Sequence, residues 1–222
     1  MLAQADAEAR YNLVNRDSAK TVRVHPLRAR LKEVVATTIL DAAEQVFSER
    51  GLDARLEDIA AQAGVAVGTL YNYFADRQAL VEAMLETHRA HLLERLEAVV
   101  TRNRELPFRA QLEAILAEIV AVSLPKLRLR LMLLQATSHR LIRHIETRQQ
   151  CIAIIDPVLQ QARQNGELSP DPIGLQAQLL FGLAHAVLSA TQETSRQLSP
   201  DVLPNIVVSA FLDGVGGVGC SR

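Results

Sequence analysis

The tightest constraint on this chain is a spacing. Ala60 is followed four residues later by Gly64 and, six further on, by Leu70, with apolar residues at helical intervals on both sides. In "LEDIAAQAG", Leu56, Ile59, Ala60 and Ala63 share one helix face. In "VAVGTLYNYF", Leu70 and Phe74 stand one turn apart on the same side. The small Ala60 admits the backbone of a neighbouring helix, and Gly64 falls where the chain must turn sharply, at a φ that glycine adopts at least cost. Val65 is placed to plug the gap between the two helices. These residues predict two short helices crossing through a tight turn, the helix-turn-helix arrangement.

The second of these helices is unusual for this chain. There is no Trp, and of three Tyr and five Phe the stretch "YNYF" holds three. Phe74 faces the core, while Tyr71 and Tyr73 fall at the helix borders, where a ring can rest on protein and the hydroxyl can reach a phosphate oxygen. Gly68, Thr69 and Asn72 remain on the outer face with no bulky charge, so the helix can approach a major groove closely. The plain alternative is an ordinary amphipathic helix. The preceding turn and the following "ADRQAL" favour a recognition helix.

Helical periodicity dominates the rest and strand alternation is nearly absent, so the chain reads as all-α, a small N-terminal unit and a larger C-terminal one. Predicted helices cover about 26 or 31–50, 56–63, 67–74, 77–100 with Asp76 as N-cap, 108–123, 126–137, 141–165 with Pro157 kinking it, 171–194 and 200–213. The corresponding domains are a flexible leader over 1–25, a DNA-binding unit over 26–80, a helical unit over 81–215 and a flexible tail over 216–222. Two cysteines, Cys151 and Cys220, fit a reduced, cytoplasmic setting. The N-terminus has no apolar signal-peptide core. The stretch 172–192 lacks acids and bases, but its Gln, His and hydroxyl residues suit a buried interface helix better than a membrane span.

Charge is uneven. From Arg16 to Lys32 six Lys/Arg face one Asp, whereas from Glu33 to Ala90 four Arg face ten acids. A body so acidic would be repelled by phosphate if its charge were evenly spread, so the leader, with Arg28 and Arg30, is expected to supply attraction as an arm along DNA.

The stretch Ala42–Leu85 resembles the DNA-binding domain of the TetR family of bacterial transcriptional regulators. The resemblance rests on the F-x-x-x-G end of the first helix, I-A-x-x-A-G-V, G-T-L-Y-x-Y-F and a basic residue three after that Phe, Arg77. It covers about a fifth of the chain. It implies a homodimer on a near-palindromic double-stranded operator, with Thr69, Tyr71, Asn72 and Tyr73 meeting DNA and Arg77 holding a phosphate. Three positions depart from the pattern: Arg55 and Ala66 stand where hydroxyl caps are usual, and Val67 where a basic residue is frequent. Arg55 is then placed to contact phosphate, Asp53 to cap the second helix, and Val67 to meet a thymine methyl.

The resemblance also implies a C-terminal domain that binds a small-molecule effector, here expected to be hydrophobic, and dimerises through the last two long helices. Leu175, Leu179, Leu183, Ala186 and Ala190 form one apolar face of such a helix, and Leu180 and Val187 another, as a helix buried on several sides requires. A monomer with a thick core is the alternative. Candidate effector contacts are Gln135, Thr137, His139 and His144 around a helix break, Arg128 and Arg130, which either pair with an acidic effector or lie on a surface face, and His185, which also reads as a hydrogen-bonded core histidine. His88, His91 and Glu94 could share a face, but no metal or cofactor is expected, and no catalytic motif is present. The expected function is a ligand-released repressor, not an enzyme. The rivals are an effector-independent DNA-binding adaptor and an all-α enzyme.

Overall fold

The computed structural model describes residues 26–136, 140–171, 174–193, 199 and 201–216. Among the described residues the chain is helical throughout: α1 (Pro26–Arg50), α2 (Leu56–Gln62), α3 (Val67–Tyr73), α4 (Arg77–Arg102), α5 (Phe108–Ser123), α6 (Leu127–Gln135), α7 (Arg140–Gln164), α8 (Gln176–Glu193) and α9 (Leu203–Ala210). A π-helical turn, Phe211–Gly216, extends α9. The leader over 1–25, Thr137, His139, Cys220 and most of the expected tail lie outside the described residues, as do the side chains of Arg28 and His144.

Helix ends follow from local chemistry. Gly51 (φ 80°) and Gly64 (φ 67°) take the left-handed conformation after α1 and α2. At the second of these, the Val65 N–H donates to the Ala60 carbonyl and the Gly64 N–H to that of Ala61, so two carbonyls left over by α2 are satisfied within the turn. Arg55 and Ala66 occupy the N-cap positions of α2 and α3, and neither supplies a side-chain acceptor. Asp53 therefore does not substitute at the head of α2. By contrast, Asp76 Oδ1 accepts from the Ala79 N–H at 2.7 Å and caps α4 as expected. Pro157 does not end α7.

The helix after the "NGELSPDP" break starts later than its apolar pattern suggests. Asp171 accepts from the N–H groups of Leu175 and Gln176, both at 2.9 Å, so α8 begins at Gln176 with Asp171 as a cap ahead of it. No described helix is long and apolar enough to cross a membrane.

Two cores result. One is in the head: Ile39, Ala43, Val46 and Phe47 of α1 close over Ile59, Ala60, Leu70 and Phe74. The other fills the body, where Leu112, Ile115 and Leu116 of α5 meet Cys151, Ile155 and Leu159 of α7 and Val207, Val208 and Phe211. Helix α4 crosses from one core to the other: Leu80, Val81 and Met84 belong to the head, Leu92, Leu96 and Val99 to the body. Helix α6 also reaches into the head, where Leu129 and Leu133 are fully or almost fully buried. The two units are thus fastened by packed apolar side chains on two helices.

Candidate nucleic-acid interface and body cavity

Helix α3 is fixed by one side and free on the other. Leu70 is fully buried and Phe74 nearly so, which anchors the inner face. Tyr71 is 46% exposed, and Gly68 and Asn72 are exposed. Val67, Thr69 and Tyr73 are half-buried at the borders, with Val67 and Tyr73 resting against the head core. A Cβ built on Gly68 would meet nothing within 4 Å. Glycine inside a helix costs up to about 1 kcal/mol relative to Ala, and no intramolecular contact at Gly68 requires it. An open, glycine-bearing outer face is what close approach of another surface would use.

The basic residues divide. Arg55, at the start of α2, and Arg30, on α1, are exposed. Arg77 is half-buried instead: its guanidinium donates to the Leu52 carbonyl and lies over the Phe47 ring at 6.0 Å. It ties the loop after α1 to the start of α4, with its remaining N–H groups left to reach outward.

A cavity of about 170 Å³ opens in the body, bounded by α4, α5, α6, α7 and α8. Leu92, Ile119, Phe181 and Leu188 give it apolar walls, and His88, Ser123, Arg130 and His185 bring polar groups to it. Of the effector contacts expected from sequence, His185 and Arg130 line this cavity, while Arg128 and Gln135 do not. Helical geometry explains the split. Arg128, Leu131 and Gln135 form the exposed stripe of α6, whereas Arg130 shares its stripe with Leu127 and Leu134.

Sequence reasoning missed His88 as a joint between cavity and head. His88 Nε2 lies 3.1 Å from Glu44 Oε2 on α1, and Lys126 Nζ donates to the same carboxylate at 2.7 Å. Burial holds the His88 imidazole below its usual range, only partly offset by Glu44. Burial opposes ionisation of Glu44 too, but the hydrogen bonds from Lys126 and His88 win and hold its carboxyl below the ordinary value. A neutral His88 therefore presents Nε2–H to a charged Glu44. The partners stand forty-four positions apart, which left no local pattern from which to infer the pair. His88, His91 and Glu94 form no metal-binding group among the described residues. Cys151 is fully buried beside the cavity, and burial pushes its thiol up to about 11.

A helix-turn-helix head with an exposed recognition helix, carried by one long helix on an all-helical body that holds a cavity, defines a class of DNA-binding regulator. Comparison with known proteins agrees. Residues 39–84 match the family described as bacterial regulatory proteins, tetR family. A fatty acid metabolism regulator protein of Bacillus subtilis is 25% identical over 195 residues, 80% of this chain and 93% of that protein. The uncharacterized HTH-type transcriptional regulator YvdT, also of Bacillus subtilis, is 45% identical over 60 residues, 27% of this chain and 31% of that protein. Among solved structures, FadR from Bacillus subtilis in complex with stearoyl-CoA superposes with a TM-score of 0.68 at 22% identity, covering 81% of this chain and 98% of that one. At that identity the likeness speaks to the fold. Residues 39–84 thus carry the DNA-binding domain of the tetR family of bacterial regulatory proteins, and over most of its length the chain is similar to transcriptional regulators that share this domain.

Proposed function

We propose that this regulator is a dimeric repressor of a near-palindromic operator, released by a small molecule bound in the body cavity. The observation that carries the reading is the path of α4: Asp76 caps it in the head, and His88 and Leu92 on the same helix line the cavity. A ligand that shifts α4 by an ångström or two displaces α3 with it, because Leu80, Val81 and Met84 share the head core with Leu70. Two recognition helices must meet half-sites about one helical turn apart, roughly 34 Å, so a small spread abolishes simultaneous docking.

On this reading Thr69, Asn72 and Val67 meet base edges, and the open face at Gly68 admits the groove wall. Tyr71, Tyr73 and Arg55 hold phosphates, with Arg77, Arg28 and Arg30 reinforcing them. The head takes 26–80 and the body 81–215, with Val81, Met84 and Leu85 of α4 and Leu129 and Leu133 of α6 completing the head core. Dimerisation through α8 and α9 is supported by an apolar strip left open on one protomer: Leu175 is 43% exposed, Leu179 39%, Val202 48% and Ile206 40%. Gly182 and Ala186 continue the strip on α8 and would let a partner helix approach closely. The fatty acid regulators among the relatives support an acyl-type effector.

Selection of bound sequences from random duplex DNA, followed by affinity measurement over a salt series, tests the reading. The expected result is one palindromic family of sites and a steep salt slope, about −0.9 per phosphate contacted. Affinity should fall when acyl-CoA is added. Sequence-blind binding would refute it. Binding unchanged by any metabolite would favour the effector-independent adaptor, against which the cavity speaks.

A further inference from the structure

The proposed effector site carries an unmatched positive charge. Arg130 lines the cavity from α6, and its Nε is shut off from solvent without a hydrogen-bond partner among the described residues. Burial alone holds its guanidinium below the usual range, and the one group offsetting that burial is the Cys151 thiol, which burial keeps protonated. No acid offsets the burial of Arg130: Glu86 pairs with Arg89, Glu146 is exposed and acts on Arg89, and Glu44 takes Lys126 and His88. A second nitrogen in the lining, His88 Nδ1, is likewise buried without a partner, and the charge of Arg130 opposes its protonation. A cation left uncompensated inside a protein is costly, and charged groups so placed are ordinarily matched by a counter-charge. Leu92, Ile119, Phe181 and Leu188 make the wall beside Arg130 apolar, while Arg148 in the same lining is exposed to solvent.

We propose that the effector is an amphipathic anion, whose carboxylate or phosphate oxygens pair with Arg130 while its aliphatic part fills the space between α4, α5 and α8. This deepens the proposed function, since it names the chemical class that the same cavity takes. The guanidinium supplies donors in a fixed fork, which suits anionic oxygens and is indifferent to a neutral hydroxyl. A headgroup seated there cancels the charge that faces His88, one hydrogen bond away from Glu44 of the head.

The test uses two probes of equal chain length, decanoate and decanol, titrated calorimetrically into the full chain. Decanoate should bind at least about tenfold more tightly, as a hydrogen bond to a charged group implies. In Arg130→Met the two probes should bind within about twofold of each other, with decanol affinity unchanged from the parent, which reports an intact cavity. In Arg148→Met, which removes an exposed cation of the same lining, the preference for decanoate should persist. Equal binding of both probes to the parent, binding of neither, or a preference that survives Arg130→Met would overturn the assignment. Operator binding, measured on the same preparations, decides the regulator reading separately: it can succeed while the anion assignment fails.

Discussion

Gly68→Ala separates a structural role from a DNA-binding one, because the two predict changes of opposite sign. Gly68 is the second residue of α3, in ordinary helical conformation, and a Cβ there meets nothing within 4 Å. Replacing glycine by Ala in a helix stabilises it by about 0.5–1 kcal/mol. For a chain of this size each kcal/mol corresponds to roughly 2–4 °C, so Tm should rise by about 1–4 °C. If that face lies against a groove, the new methyl instead intrudes on a packed surface, which typically costs about 1–3 kcal/mol. Operator Kd should then weaken by roughly five- to 150-fold, with the salt slope unaltered because no phosphate contact is lost. Calorimetric unfolding and fluorescence anisotropy with the selected duplex measure the two effects. A variant with raised Tm and unchanged Kd would refute the placement of α3 against DNA.

Three further outcomes follow from the body. Glu44→Ala leaves His88 Nε2–H without its partner, at about 1–3 kcal/mol, while the loss of half-exposed Lys126 adds little after screening. Thermal unfolding should move down by roughly 4–8 °C for a loss of about 2 kcal/mol; a shift below about 1 °C would show that the pair does not fasten head to body. Because the folded-state pKa of His88 is depressed, the unfolded chain binds more protons below the ordinary value of 6.5, so stability should fall as pH drops through about 6.5. Glu44, also depressed, extends the loss below its ordinary 4.5. Denaturant titrations across this range should show a shallower pH slope in His88→Gln, and an unchanged slope would remove His88 as the cause. In a Cys220→Ser chain, Cys151 should react with iodoacetamide on the order of 100-fold more slowly than a free thiol near pH 8, given a pKa of about 11. Denaturant should restore the rate; fast labelling of the folded chain would contradict its burial.

Much of the head was legible in sequence, because its determinants are local. The turn at Gly64, the inward Leu70 and Phe74 and the Asp76 cap each depend on residues within a turn or two of one another, and periodicity reads such relations directly. Helix α5 falls on its expected bounds for the same reason. The start of α8 was misjudged because the Asp171 carboxylate caps the helix from several residues ahead, past Gly174 at φ 66°. Arg77 shows a different limit. Its position in the motif is evident, but its contacts with Leu52 and Phe47 arise from packing between two helices.

Sequence by itself determined an all-helical chain with a helix-turn-helix head, since 3.6-residue periodicity and turn chemistry are properties of short segments. Only the tertiary structure decided that Arg130 rather than Arg128 faces the cavity, and that His88 and Lys126 converge on Glu44. Those relations depend on how α4 and α6 rotate against α1 and α7. That rotation is set by side chains far apart in the chain meeting in the two cores, which no local window of residues contains.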